Sequence, residues 1–117
     1  MTESKQWIDI ETNDEFEELL RQIKGNYIIY FSASWCKPCG QISQYVKELY
    51  DKCTNTIFIK IDFGKEELLK VKDNIKQKYN FKHIPHFKFY KDNKNVLELT
   101  APNFDEFNTL SNMFYLK

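Results

Sequence analysis

The sequence has no excess of charge of either sign: Lys+Arg and Asp+Glu both number 17, for a formal net charge of +0. Without a basic surplus there is no general attraction to nucleic acid or to an anionic membrane, so neither is expected as the main partner. No apolar run approaches the roughly 18 residues of a membrane-spanning helix. The first residues, MTESKQWIDI, lack the apolar core of a secretory leader. The expectation is therefore a cytoplasmic protein. Cysteine is scarce, at three residues, and three thiols in a reducing compartment are not a disulfide framework. No repeat, linker or low-complexity stretch interrupts the chain, so residues 1–117 are expected to form a single domain. What is plentiful is aromatic: 10 Phe, 7 Tyr and 2 Trp supply ample core material.

Hydrophobic periodicity predicts the elements. Lys5–Ile10 is a short strand candidate. Thr12 with Glu15 forms a capping box that opens a helix through about Lys24, with Phe16, Leu19, Leu20 and Ile23 on its apolar stripe. Gly25-Asn26 ends it. Tyr27–Phe31 is a continuous apolar run, as suits a strand covered on both faces. A helix follows with Cys39, Ile42, Val46, Leu49, Tyr50 and Cys53 on one stripe. Ile57–Phe63 is the next strand, ended by Gly64. Lys65–Lys78 reads as one charge-rich helix with Leu68, Leu69, Val71, Ile75 and Tyr79 inward. Ile84–Tyr90 is a strand in which Phe87 and Phe89 alternate with Lys88 and Tyr90, which fits unlike faces. Asp92–Asn95 turns into a returning strand, Val96–Leu99. Phe104, Phe107, Leu110 and Phe114 make the last helix amphipathic. The predicted fold class is α/β, in the order β-α-β-α-β-α-β-β-α.

The chemistry concentrates at Trp35-Cys36-Lys37-Pro38-Cys39, where a strand gives way to a helix. A helix start carries unpartnered N–H groups and partial positive charge, which favour a thiolate over a thiol. Cys39 lies on the apolar stripe, and Cys36 sits nearly a full turn earlier at the exposed tip. The asymmetry gives Cys36 the attacking role and Cys39 the resolving one. C-x-x-C beside a βαβ pattern reads as a redox motif.

The element order, the W-C-x-P-C motif and the downstream Ile84-Pro85 step resemble the thioredoxin family over nearly the whole chain. The resemblance implies a three-layer α/β/α sandwich around a central mixed sheet, with a cis Ile84–Pro85 bond beside the sulfurs. It implies dithiol–disulfide exchange with target proteins and electron transport through a redox-active Cys36–Cys39 disulfide. No bound cofactor or metal is implied. The pair would be re-reduced by an external reductase, in the family usually an NADPH flavoenzyme, and the protein would act as a monomer. Trp35, Pro38, Ile84 and Pro85 would form the apolar patch that holds the target.

The sequence departs from the family pattern. Lys37 stands where glycine is commoner, and a cation beside Cys36 favours its thiolate. Tyr30 stands where the family has a buried Asp, and Phe58 where it has a buried Lys. Both charges are expected to be missing, leaving Cys39 to react slowly or to use another base. His83 and His86, flanking Pro85, are candidate proton acceptors, or else exposed loop and strand-edge side chains. Ala101-Pro102 replaces a glycine along the target groove, and the segment between Asp62 and Pro85 is longer than usual. Other readings remain. A zinc site would need Cys53, His83 or His86 beside the pair, without a second C-x-x-C. An iron–sulfur cluster could bridge two monomers. The fold could serve as a non-catalytic adaptor, as an oxidant or isomerase, or in glutaredoxin-like chemistry. Cys53, on an apolar stripe, reads as a buried structural thiol.

Overall fold

The computed structural model describes residues 5–116. The elements are β1 (Gln6–Ile10), α1 (Asn13–Gln22), β2 (Asn26–Ser32), α2 (Lys37–Lys52), β3 (Thr56–Asp62), α3 (Glu66–Leu69), α4 (Lys72–Lys78), β4 (His86–Lys91), β5 (Lys94–Thr100) and α5 (Phe104–Leu116). The five strands form one sheet in the order β1-β3-β2-β4-β5. β1, β3 and β2 run parallel, while β4 is antiparallel to β2 and β5 to β4.

Successive strand side chains point to opposite faces, so β2 feeds two cores. Tyr27, Ile29 and Phe31 pack with Phe16 of α1, Leu68 of α3 and Ile75 of α4. Ile28 and Tyr30 pack with Ile42, Val46 and Leu49 of α2 and with Phe107 of α5. The mixed sheet thus lies between two helical layers, the expected sandwich. Thr12 caps α1 by accepting from the Glu15 amide at 3.1 Å, and Glu15 Oε1 accepts from the Glu11 amide at 2.6 Å.

Three expectations change. Residues 65–78 form two helices rather than one, which adds an element between β3 and β4. The break falls at Val71, whose φ −115° and ψ 17° are not helical. The Leu68–Leu69 pair hides it in the sequence, because a continuous helix would bury both; Leu68 is buried and Leu69 exposed. β4 begins at His86, so Ile84 and Pro85 precede the strand. Finally, both of the unlike faces of β4 are covered, the apolar one with Phe87 and Phe89 and the polar one with His86 and Lys88. His86 and Lys88 are buried along with Phe87 and Phe89, since α1, α3 and α4 cover one side and α2 and α5 the other. Lys88 is accommodated by Glu98, its partner across β5, at 2.9 Å.

Candidate active site

β2 delivers the chain to the site. After Ser32 the backbone turns, with the Cys36 amide donating to the Ala33 carbonyl at 3.1 Å, and α2 begins. Cys36 is the N-cap of α2, and its Sγ accepts from the Cys39 amide at 3.3 Å. Pro38 occupies the first turn, where its missing N–H costs nothing. Each of the other four helices carries an acid in its first turn; α2 carries none. The positive end of α2 is therefore left for sulfur.

Cys36 and Cys39 are disulfide-bonded, with Cα atoms 5.3 Å apart. Cys36 is half-buried and Cys39 is 4% exposed, so one sulfur faces solvent and the other the core. The Ile84–Pro85 peptide bond is cis, and the Ile84 carbonyl oxygen lies 3.9 Å from Cys36 Sγ. Trp35, 58% exposed, stands over the front of the site. There a groove of about 360 Å³ runs past Cys36, with Trp35, Pro38, Phe63 and Ile84 as its apolar walls. The Ala101 amide donates to the Pro85 carbonyl at 2.7 Å and ties the end of β5 to the Pro85 loop. Ala101 holds φ at +43°, a left-handed conformation that suits glycine better.

The matching family model is thioredoxin, aligned to residues 8–112. The chain belongs to the thioredoxin family. Thioredoxin H-type from Fagopyrum esculentum is 31% identical over 109 residues, covering 91% of this chain and 89% of its own. Thioredoxin from Mus musculus is 30% identical over 95 residues, covering 80% of this chain and 85% of its own. Oxidised thioredoxin O2 from Arabidopsis thaliana shares the fold, with a TM-score of 0.80 at 23% identity over 95% of this chain and 96% of that one. With its paired cysteines, this thioredoxin-family chain is a protein thiol–disulfide oxidoreductase, and the redox group is the disulfide itself.

Against the family pattern, the back of the site holds the surprise. Tyr30, in the place of the usual Asp, stacks on Phe87 at 4.7 Å between ring centroids. Its hydroxyl donates to the Cys39 carbonyl at 3.2 Å. Burial pushes the Tyr30 pKa up to about 12, so it stays neutral and is no base. Phe58 is buried in the same core. The expected loss of both charges is nevertheless incomplete. A cavity of about 200 Å³ behind the sulfurs is lined by Cys36 and Cys39 together with Ser32, Lys60 and Asp62. Lys60 and Asp62 lie two and four residues beyond Phe58, on the same face of β3, which turns polar where it passes under α2. Lys60 Nζ sits 5.9 Å from the centre of the Tyr30 ring. Asp62 Oδ1 accepts from the Ser34 and Gly64 amides, both at 2.8 Å, and fastens the turn ahead of Cys36 to β3. Asp62 escaped the sequence reading because it resembles an ordinary strand-end turn residue.

Neither histidine lines that cavity. His83 is exposed and borders the groove in front of Cys36. His86 is buried, contrary to the expectation of an exposed strand-edge side chain, and stacks on Phe81 at 4.6 Å. Its Nε2 lies 3.2 Å from Glu98 Oε1 and its Nδ1 2.8 Å from Thr100 Oγ1. An ionised carboxylate only accepts, so Nε2 carries the proton and Nδ1 accepts from the threonine hydroxyl. Burial and then the Lys88 ammonium push the His86 pKa down, so the ring is neutral and both nitrogens are engaged. Cys53 is buried at the end of α2, and burial pushes its thiol up to about 11. Among the described residues, no group of His, Cys, Asp and Glu is arranged to hold a metal ion.

Proposed function

We propose that this chain, working in the cytoplasm as a one-domain monomer, reduces disulfides in target proteins, with Cys36 as nucleophile and Cys39 as resolving thiol. The difference in exposure between the two sulfurs supports this division of labour most strongly. The Cys36 thiolate, favoured by the start of α2 and by the adjacent Lys37, attacks one sulfur of the target disulfide. A mixed disulfide forms and the other target sulfur leaves as a thiolate. Cys39 then loses its proton, attacks Cys36 Sγ and expels the second target thiolate. The target gains two electrons, and Cys36 and Cys39 end as a disulfide. An external thioredoxin-reductase-like donor restores the dithiol.

The Cys39 proton needs an acceptor, and the back cavity supplies one in Asp62, reached through water in a polar space large enough to hold it. Trp35, Pro38, Ile84 and Pro85 hold the target as an extended segment against the front of the site.

The test is trapping. Cys39→Ser should accumulate a mixed disulfide between Cys36 and a target, and Cys36→Ser should accumulate none. In parallel, wild-type protein should accelerate insulin precipitation by dithiothreitol. If it gave no acceleration over dithiothreitol alone, the chain would be a thioredoxin-like adaptor and not a reductase.

A further inference from the structure

The groove in front of Cys36 has a charge that the chain as a whole lacks. Lys72 and Lys76 from α4, Lys82 and His83 border it, and no carboxylate does. Four lysines elsewhere are held by carboxylates: Lys65 pairs with Glu11, Lys70 with Glu66 and Glu67, Lys78 with Glu17, and Lys88 with Glu98. Among the described residues, Lys72, Lys76 and Lys82 make no ion pair. Lys72 and Lys76 are four apart on one face of α4, where like charges repel and mildly destabilise a helix. Both are half-buried, and Lys72 Nζ sits 5.5 Å from the centre of the Trp35 ring. These cations come from the segment between β3 and β4. They are gathered along the apolar wall on which a target segment would lie.

We propose that this groove selects target proteins whose reactive disulfide lies in an acidic segment. The inference rests on the reading that Cys36 attacks target disulfides. Asp or Glu side chains flanking the target cysteine meet Lys72, Lys76 and Lys82 while the cysteine reaches Cys36. The unpaired lysines then gain the partners that the fold withholds. Surface ion pairs are individually weak, but three acting on one encounter raise the rate by about tenfold at low ionic strength. Salt screens that gain, over a length of about 10 Å at 0.1 M.

Three peptide disulfides that differ only in whether the residues flanking the cysteine are Glu, Gln or Lys decide the matter. Single-turnover oxidation of the reduced protein should be about tenfold faster with the Glu peptide than with the Gln peptide, and slowest with the Lys peptide. The differences should collapse in concentrated salt. In a K72E/K76E/K82E variant the Glu-to-Lys ratio should invert. The single variant Lys82→Glu, on the exposed loop, should lower that ratio about threefold and serves if the triple variant does not fold. Equal wild-type rates for the Glu and Lys peptides would overturn the proposal, as would a charge-reversed variant that keeps its preference for Glu. Glutathione disulfide reacting faster than every peptide would also overturn it, by making a small anion the occupant. If no peptide oxidised the protein at all, the reductase reading itself would fail. Equal rates would remove the selectivity alone.

Discussion

The two sides of the Cys36–Cys39 disulfide are built differently. In front lies a broad, open groove with an aromatic wall and unpaired cations. Behind lies a smaller polar cavity with one carboxylate, one ammonium and buried Cys39. The front is suited to choosing a partner and the back to handling a proton. On the proposed reading, the contrast accounts for the replacement of the family's usual buried Asp by Tyr30. The proton acceptor has to share a cavity with the inner sulfur, but it need not stand on β2. Asp62 on β3 shares that cavity with Cys39, and it also holds the turn that carries Cys36.

The sharpest way to break this division is Asp62→Asn. The amide keeps an oxygen for the Ser34 and Gly64 N–H groups, so the fold should persist. The resolving step should slow by about a hundredfold, the low end of what a positioned proton acceptor contributes. Stopped-flow resolution of a preformed mixed disulfide measures it. An unchanged rate and pH profile would remove Asp62 from the chemistry.

Next is Gly64→Ala. A Cβ there would collide with the Ser34 hydroxyl and press on Asp62 Oδ1 at 2.9 Å. A loss of about 1–3 kcal/mol is expected, as for other overpacked sites. Urea unfolding would read it, and a front-side substitution should not share the accompanying loss of resolution rate.

The start of β4, just after Pro85, has its own signature, in pH. Folded His86 binds its proton less readily than the unfolded chain does, because burial and Lys88 oppose its charge. Acid therefore favours the unfolded state. Stability should fall as pH drops below about 6.5 and level off beneath the folded value. Partial burial tends to raise the Glu98 pKa, but Lys88 and His86 outweigh it and hold the carboxyl down; its loss of stability follows lower, below about pH 4.5. Thermal melts against pH should show the upper slope in wild type and a flatter one in His86→Gln.

The smallest expected effect is Ala101→Gly. A left-handed alanine costs roughly 1–2 kcal/mol, and glycine returns part of that as chain entropy. A net gain of about 0.5 kcal/mol should appear in the unfolding midpoint with little change in resolution.

Much of this was legible in the residues. Tyr27–Phe31 and the Cys39-to-Cys53 stripe mark β2 and α2 because burial on both faces and burial on one stripe leave different periodicities. The redox pair was legible because C-x-x-C at a strand–helix junction has few other uses. The break between α3 and α4 was not, since Leu68, Leu69 and Val71 satisfy a helical period even though one of them faces solvent. His86 and Lys88 were misplaced for a related reason. Polar residues in a strand suggest an exposed face unless Thr100 and Glu98 are known to stand opposite, and that is a matter of register. Asp62 and the three groove lysines became meaningful only once the fold brought distant segments to the two sides of one disulfide.

Cys53 leaves a practical legacy. A sulfur so deeply placed and so reluctant to ionise takes no part in scrambling with the working pair. In the native reduced protein, a thiol-directed dye therefore reaches Cys36 first, and Cys53 becomes visible only as the structure opens. The same molecule thus carries both a redox couple and a built-in gauge of its own unfolding.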